Sequence, residues 1–248
     1  MKELPDLFDG SVDAVIFDLD GVITDTASVH ARVWADLFDG YLAGLHGPGS
    51  EPFTEGDYLA YIDGKPRYDG VASFLASRDI SLPWGSPDDP PDAETVCGLG
   101  NRKNDLFRSV LASDGASVFP TSVALVRALR SAGIATGCVS SSKNCRHVLD
   151  AVGLLDHFDD IIDGNDAAQR SLPGKPAPDT YLDCASRLGV DVARAAMVED
   201  AVSGVASGAA GGFAHVIGLD RGAGRAALIE SGASVVVDDL GVFVMSGA

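Results

Sequence analysis

Two aspartates, Asp18 and Asp20, follow the apolar run "AVIF" (14–17), with one leucine between them and Gly21 behind. Residues two apart on a strand share a face, so two like charges meet where the run ends. Glu199 and Asp200 follow a second such run, "AAMV" (195–198). Four carboxylates at one sheet edge repel strongly where the dielectric is low. A hard divalent cation offsets that repulsion, and Mg²⁺ takes oxygen ligands and bridges carboxylates to phosphate. A third run, "IATGCV" (134–139), leads into Ser140, Ser142, Lys143 and Asn144, and Lys175 stands in "GKPAPD". Compact cations and hydrogen-bond donors are what a phosphate group requires. Together these residues point to metal-assisted chemistry on a phosphate.

Each feature also has a plainer reading. Acidic turns after strands are common, "SSS" is an ordinary loop and "GKP" an ordinary turn. "VEDA" could open a helix, where acidic residues favour the dipole. What separates the chemical reading from these is their joint appearance, in this order, at the ends of apolar runs.

Elements must position these residues. The runs "AVIF", "IATGCV", "DII" (160–162), "AAMV", "HVIGL" (215–219) and "SVVV" (234–237) suit strands covered on both faces. Helical patterns lie between them. "TSVALVRALRSAG", "NCRHVLDAVG" and "APDTYLDCASRLG" end on Gly133, Gly153 and Gly189, placed as C-terminal caps. Alternating strand and helix predict an α/β domain with a parallel sheet, with ligands outside the carboxyl ends of its strands. Residues from about 28 to about 117 break the rhythm, with helical patterns and a Pro/Asp-rich loop, "LPWGSPDDPPDAE" (82–94). The expected organisation is a core of 1–27 and 118–248 with a helical cap, 28–117, inserted after the first strand.

Composition limits the partners. The 248 residues carry a formal charge of −18 and are 46% hydrophobic. That acidity argues against nucleic acid and anionic membranes, since both call for Lys/Arg patches. No apolar run nears the ~18 residues that span a bilayer. "MKELPDLFDG" lacks the basic-then-apolar layout of a signal peptide, so a cytoplasmic location is expected. Cys97, Cys138, Cys145 and Cys184 show no metal-type spacing and read as reduced thiols, Cys138 as a small core residue.

At this point the sequence resembles the haloacid dehalogenase superfamily. "DLDGVITDT" resembles its first motif, Ser140 its second, Lys175 its third and Glu199-Asp200 its fourth. The resemblance implies a Rossmann-like core with a helical cap and a phosphotransferase working through an aspartyl phosphate. Asp18 is then the nucleophile and Asp20 the general acid and base, its backbone carbonyl also touching Mg²⁺. Asp200 ligates the metal, Glu199 holds a ligand water, and Ser140 and Lys175 bind the phosphoryl group.

Within the superfamily the chain is similar to β-phosphoglucomutases. "SSSKN" resembles their phosphate loop, giving Ser140, Ser142, Lys143 and Asn144. His30 and Trp34 match the start of their cap, and "RKND" places Lys103 near the sugar. Arg67, in "GKPRYDG", fits the arginine that grips the second phosphate, and Thr26 stands at their hinge. His30 and Trp34 also fit plain helix packing, and Arg102 and Lys103 a solvated face. One position departs: Asp63 stands where those enzymes carry a lysine, with Lys65 two residues on. "YIDGKPRYDGV" also resembles a group called β-phosphoglucomutase-family hydrolases, so mutase and sugar phosphatase both stay open. The expected partner is a small phosphosugar, with no nucleic acid and no membrane, and the expected state is a monomer.

Overall fold

A computed structural model describes residues 11–244. The amino-terminal segment "MKELPDLFDG" lies outside the described residues, as do the last four residues. In chain order the elements are β1 (Ala14–Asp18), α1 (Ala27–His46), α2 (Glu55–Asp57), a π-helical turn (Tyr58–Ile62), α3 (Arg67–Ser77), α4 (Val96–Asp114) and α5 (Pro120–Ser131). Then follow β2 (Ala135–Val139), α6 (Cys145–Ala151), β3 (Asp160–Ile162), α7 (Gly164–Arg170) and α8 (Asp179–Arg187). The chain continues through β4 (Ala195–Glu199), α9 (Val202–Gly211), β5 (His215–Leu219), α10 (Arg225–Glu230) and β6 (Val235–Val237). All six expected strands form, each within a residue of its expected bounds. Gly133, Gly153 and Gly189 have positive φ just past their helices, as C-terminal caps require.

The strands pair in the order β3-β2-β1-β4-β5-β6, and every pairing is parallel. All five residues of β1 are buried, which a strand achieves only when both sheet faces are covered. Tyr181 and Cys184 of α8 pack with Ile16 and Met197 in the core beside the sheet. The strand order reverses between β1 and β4, and the crevice at the carboxyl ends of such strands is where ligands collect in doubly wound sheets. Phe17 pairs with Val198 and Asp18 with Val139. The residues that follow these pairs, Asp18, Glu199 and Ser140, therefore stand at one edge.

The chain divides into two compact units. One holds the sheet and comprises the described residues up to Asp25 and from Ala116 onward; the other is Thr26–Gly115. These bounds differ by two residues from the expected 28–117. Asp25 N donates to Ser117 O at 3.0 Å, and Thr24 bridges Val118, so the outgoing and returning segments pair beside the sheet.

The Thr26–Gly115 unit has its own aromatic core. Phe38 stacks on Trp34 and Phe53, each at 5.3 Å between centroids, and meets Phe74 at 4.1 Å. The 82–94 loop forms neither helix nor strand and is tied to α4 by bonds from Val96 N to Pro83 O and from Cys97 N to Trp84 O. The four cysteines are buried and free. Among the described residues no helix is long and apolar enough to cross a membrane.

Candidate active site

Lys175 lies at the centre of the site. Its side chain is buried, and its Nζ donates to Asp18 Oδ1 at 2.5 Å and to Glu199 Oε1. The loop that carries it, entered by a cis Lys175–Pro176 bond, leads into α8. Tyr181 on α8 donates its hydroxyl to Glu199 Oε1 at 3.0 Å, and the ammonium stands 5.2 Å from its ring centroid. Ala201 N donates to Glu199 Oε2 at 2.9 Å. Glu199 is thus fully buried and held by three donors, as a buried carboxylate requires.

One ammonium here serves two carboxylates. Burial alone would lower Lys175, but Asp18 and Glu199 more than offset it and hold the side chain charged, well above its ordinary value. Asp18 is left undercompensated. Its burial pushes the carboxyl well above the usual carboxylate range; Lys175 opposes this, while Glu199 and Asp20 add to it. Burial, then the Glu199 charge, pushes the Tyr181 phenol up as well.

Asp18, Glu199 and Asp200 each offer a carboxylate oxygen, all within 4.8 Å of one another. An all-oxygen set with excess negative charge suits a hard divalent cation. Gly21 makes this cluster possible. Its φ is +85°, and a Cβ there would stand 1.8 Å from Asp200 Oδ2. The glycine after Asp20 is therefore required twice, for the turn and for the close approach of Asp200. Asp20, expected as a fourth member, is half-buried and its carboxylate does not belong to this cluster; the expected metal contact is through its backbone carbonyl.

The Ser140–Asn144 loop follows β2 at the same edge. Ser142 N donates to Ser140 Oγ at 3.0 Å and Asn144 N to Ser142 Oγ at 3.1 Å, so each serine caps the next turn of chain. Asn165 Nδ2 donates to the Lys143 carbonyl at 3.0 Å and pins the loop to the start of α7. At the opposite, amino-terminal end of β2, a shallow groove of about 470 Å³ is lined by Arg130, Ile134 and Asp159, remote from this chemistry.

In the Thr26–Gly115 unit, Lys103 is buried and meets His30 Nδ1, with its ammonium 5.0 Å from the Trp34 ring and 4.8 Å from the Phe107 ring. His30 stacks on Phe107 at 4.1 Å. Trp34 is packed against Phe38, as its plainer reading had it, yet also faces the lysine. Lys103 is not the solvated residue of its own plainer reading. Arg67 opens α3, and its Nη2 donates to Asn104 Oδ1 at 2.8 Å. Lys65 donates to Ser73 Oγ at 2.9 Å and lies along α3.

Residues 12–212 match the haloacid dehalogenase-like hydrolase family. The chain belongs to this family. The haloacid dehalogenase-like hydrolase described here is an enzyme, and its relatives include both mutases and phosphatases. It is 50% identical to a β-phosphoglucomutase of Mycobacterium bovis over 237 residues, which cover 92% of this chain and 90% of the relative. It is 30% identical to a phosphoglycolate phosphatase of Rhodospirillum rubrum, over 91% of this chain and 87% of that one. The crystal structure of a Clostridium difficile β-phosphoglucomutase aligns with a TM-score of 0.75 and 25% identity, covering 93% of this chain and 92% of the other.

Several residues of this haloacid dehalogenase-like hydrolase's clusters were not singled out from the sequence. Tyr181 appeared only within the helical segment "APDTYLDCASRLG". A tyrosine on a helix that packs onto a sheet needs a partner for its hydroxyl, and that was the available signal. Phe107 and Asn101 were not singled out, and Asn104 entered only within "RKND", because His30, Tyr68 and Arg67, which they meet, are far away in sequence.

Proposed function

We propose that the protein is a Mg²⁺-dependent phosphotransferase that converts β-glucose 1-phosphate to glucose 6-phosphate through a bisphosphate. The observation that carries this reading is the 50% identity to a β-phosphoglucomutase across 92% of the chain. The Asp18–Lys175–Glu199 cluster with Asp200 supports it, since it gathers at one strand edge the groups that phosphoryl transfer uses. The sheet unit is the catalytic core and Thr26–Gly115 the cap, in a monomeric cytoplasmic enzyme.

The steps follow from the residues. An Asp18 oxygen forms a bond to phosphorus as the bond to the leaving oxygen breaks. Asp20 gives its proton to that oxygen and later takes one from the attacking hydroxyl. Ser140 and Lys175 hold the phosphoryl oxygens, while Ser142, Lys143 and Asn144 shape the loop beside them. Asp18, Asp200 and the Asp20 carbonyl would hold Mg²⁺, with Glu199 acting through a ligand water. Glu199's three donors support that indirect role, because they occupy most of its acceptor capacity. When bound, Mg²⁺ offsets the carboxylate and phosphoryl charge. Arg67 takes the second phosphate, and His30 and Lys103 the sugar side.

The test incubates the protein with β-glucose 1-phosphate, Mg²⁺ and a trace of glucose 1,6-bisphosphate. Glucose 6-phosphate formed without inorganic phosphate is the expected result. A second reading, a small-sugar phosphatase in which water attacks the aspartyl phosphate, is favoured by the similarity to a phosphoglycolate phosphatase and by Asp63. Phosphate release across many substrates would establish it instead.

A further inference from the structure

Arg67 is held by a chain of hydrogen bonds that runs back to the 82–94 loop. Its Nη2 donates to Asn104 Oδ1 at 2.8 Å. Its neighbour Tyr68 lies 5.8 Å away, measured from guanidinium carbon to ring centroid, and donates its hydroxyl to Asn101 Oδ1 at 2.8 Å. Asn101 Nδ2 in turn donates to Pro87 O at 3.0 Å and Asp89 O at 2.8 Å. A side-chain amide has two N–H donors. With both committed to the loop, the Asn101 oxygen is aimed at Tyr68.

Asn101 and Asn104 are three apart on α4 and so share a face. Gly100 opens that face. A Cβ at Gly100 would stand 2.6 Å from the Tyr68 ring and 3.2 Å from the Arg67 stem. The start of α3 therefore lies directly against α4, and the loop does for Asn101 what Asn101 does for Tyr68. The Tyr68 ring packs against the aromatic core of this unit, but the bonds made by the Tyr68 hydroxyl, Asn101 and Asn104 add orientation that burial of apolar surface does not require.

We infer that Asn104, with Tyr68 and Asn101 behind it, positions the Arg67 guanidinium and so sets the preference for a substrate with two phosphates over one with a single phosphate. The inference rests on the reading of Arg67 as the ligand of the second phosphate. A guanidinium recognises phosphate as a planar fork, so its orientation decides how many N–H groups reach the anion. Asn104 engages one of five N–H donors and fixes the plane of the rest.

The test is calorimetric. It uses the full chain with Mg²⁺ in an Asp18→Asn background, which keeps the ligand from reacting. The ratio of affinities for glucose 1,6-bisphosphate and glucose 6-phosphate is measured. Asn104→Ala is expected to lower that ratio about tenfold, the effect of losing one hydrogen bond to a charged group. Asn104→Asp, which keeps an acceptor oxygen, is expected to restore it to within about twofold. Tyr68→Phe keeps the ring, is expected to lower the ratio about threefold, and carries the test if Asn104→Ala does not fold. The inference is overturned if these variants leave the ratio unchanged, if both ligands weaken equally, or if Arg67→Met itself does not lower the ratio. If the isomerisation assay fails while Asn104→Ala lowers the ratio, the mutase reading falls and the positioning role stands.

Discussion

The two units each bury a lysine, and they surround it differently. Lys175 is 5% exposed and sits among carboxylates; Lys103 is 4% exposed and lies over two aromatic rings against an imidazole. A carboxylate pair fixes a cation with strong, directional charge–charge contacts, and it leaves a large penalty when the cation is removed. An aromatic face attracts the same ammonium more weakly and packs equally well around its alkyl stem. The first arrangement suits a group that must stay charged beside reacting atoms. The second suits a group that holds a neutral or partly charged part of a ligand. The contrast is open to attack from the chemistry first and then from stability.

The largest effect is expected at Asp18. On the proposed mechanism Asp18→Asn removes the attacking oxygen, and turnover of β-glucose 1-phosphate is then expected to fall by at least about 10³-fold, as nucleophile removal does elsewhere. Near-normal turnover in that variant would break the aspartyl-phosphate mechanism and leave the sheet unit's cluster without its central role.

Next comes Lys175→Met. Removing the ammonium leaves Asp18 and Glu199 facing each other in a buried site, and a loss of about 3–5 kcal/mol in unfolding free energy is expected. Saturating Mg²⁺ should recover part of that loss, because a ligand bound by the folded state alone stabilises it. Urea denaturation with Mg²⁺ and with chelator checks both statements. A loss below about 1 kcal/mol would mean that the carboxylates protonate or find other compensation, and that Lys175 is replaceable.

The sheet side of this comparison was largely legible in the sequence. Apolar β-branched runs predict buried strands, and the residues ending each run fall at one edge once the sheet is parallel. That is why Asp18, Ser140 and Glu199 could be placed together without coordinates. Tyr181 escaped because a buried partner reveals itself only when the helix packs down. The other unit was less legible. His30 and Lys103 lie 73 positions apart and meet through helix–helix packing, which no local pattern encodes. Asn101 was equally silent, since the loop that orients it reads as generic turn residues. Gly21 was visible behind Asp20, but one reason for it, the approach of Asp200, is purely tertiary.

Lys103→Met sharpens the other half. It replaces the ammonium by a thioether of similar length on the same rings, and a stability change of about 1 kcal/mol is expected, against several for Lys175→Met. The effect should fall on the Michaelis constant for the sugar phosphate. A destabilisation as large as that of Lys175→Met would show that the ammonium of Lys103 is as tightly compensated as that of Lys175, and the contrast between the units would fail.

The smallest expected effect contrasts two aspartates. Asp18 is raised by burial and like charges, whereas Asp57 in α2 is lowered. Burial raises Asp57 too, but bonds from the Thr54 hydroxyl at 2.7 Å, Thr54 N at 2.9 Å and Arg78 Nη2 at 2.9 Å more than offset it. A carboxylate with a lowered folded-state pKa contributes stability that is fully present above its unfolded value, near 3.8, and is lost as pH falls through the folded value. Asp57→Asn is therefore expected to cost about 1 kcal/mol at pH 7, the worth of a helix cap with a partly exposed ion pair, and progressively less below pH ~4. Urea midpoints at pH 7 and pH 3 measure this. An equal cost at both would mean that Asp57 acts through shape and neutral hydrogen bonds, not through the charge that sets it apart from Asp18.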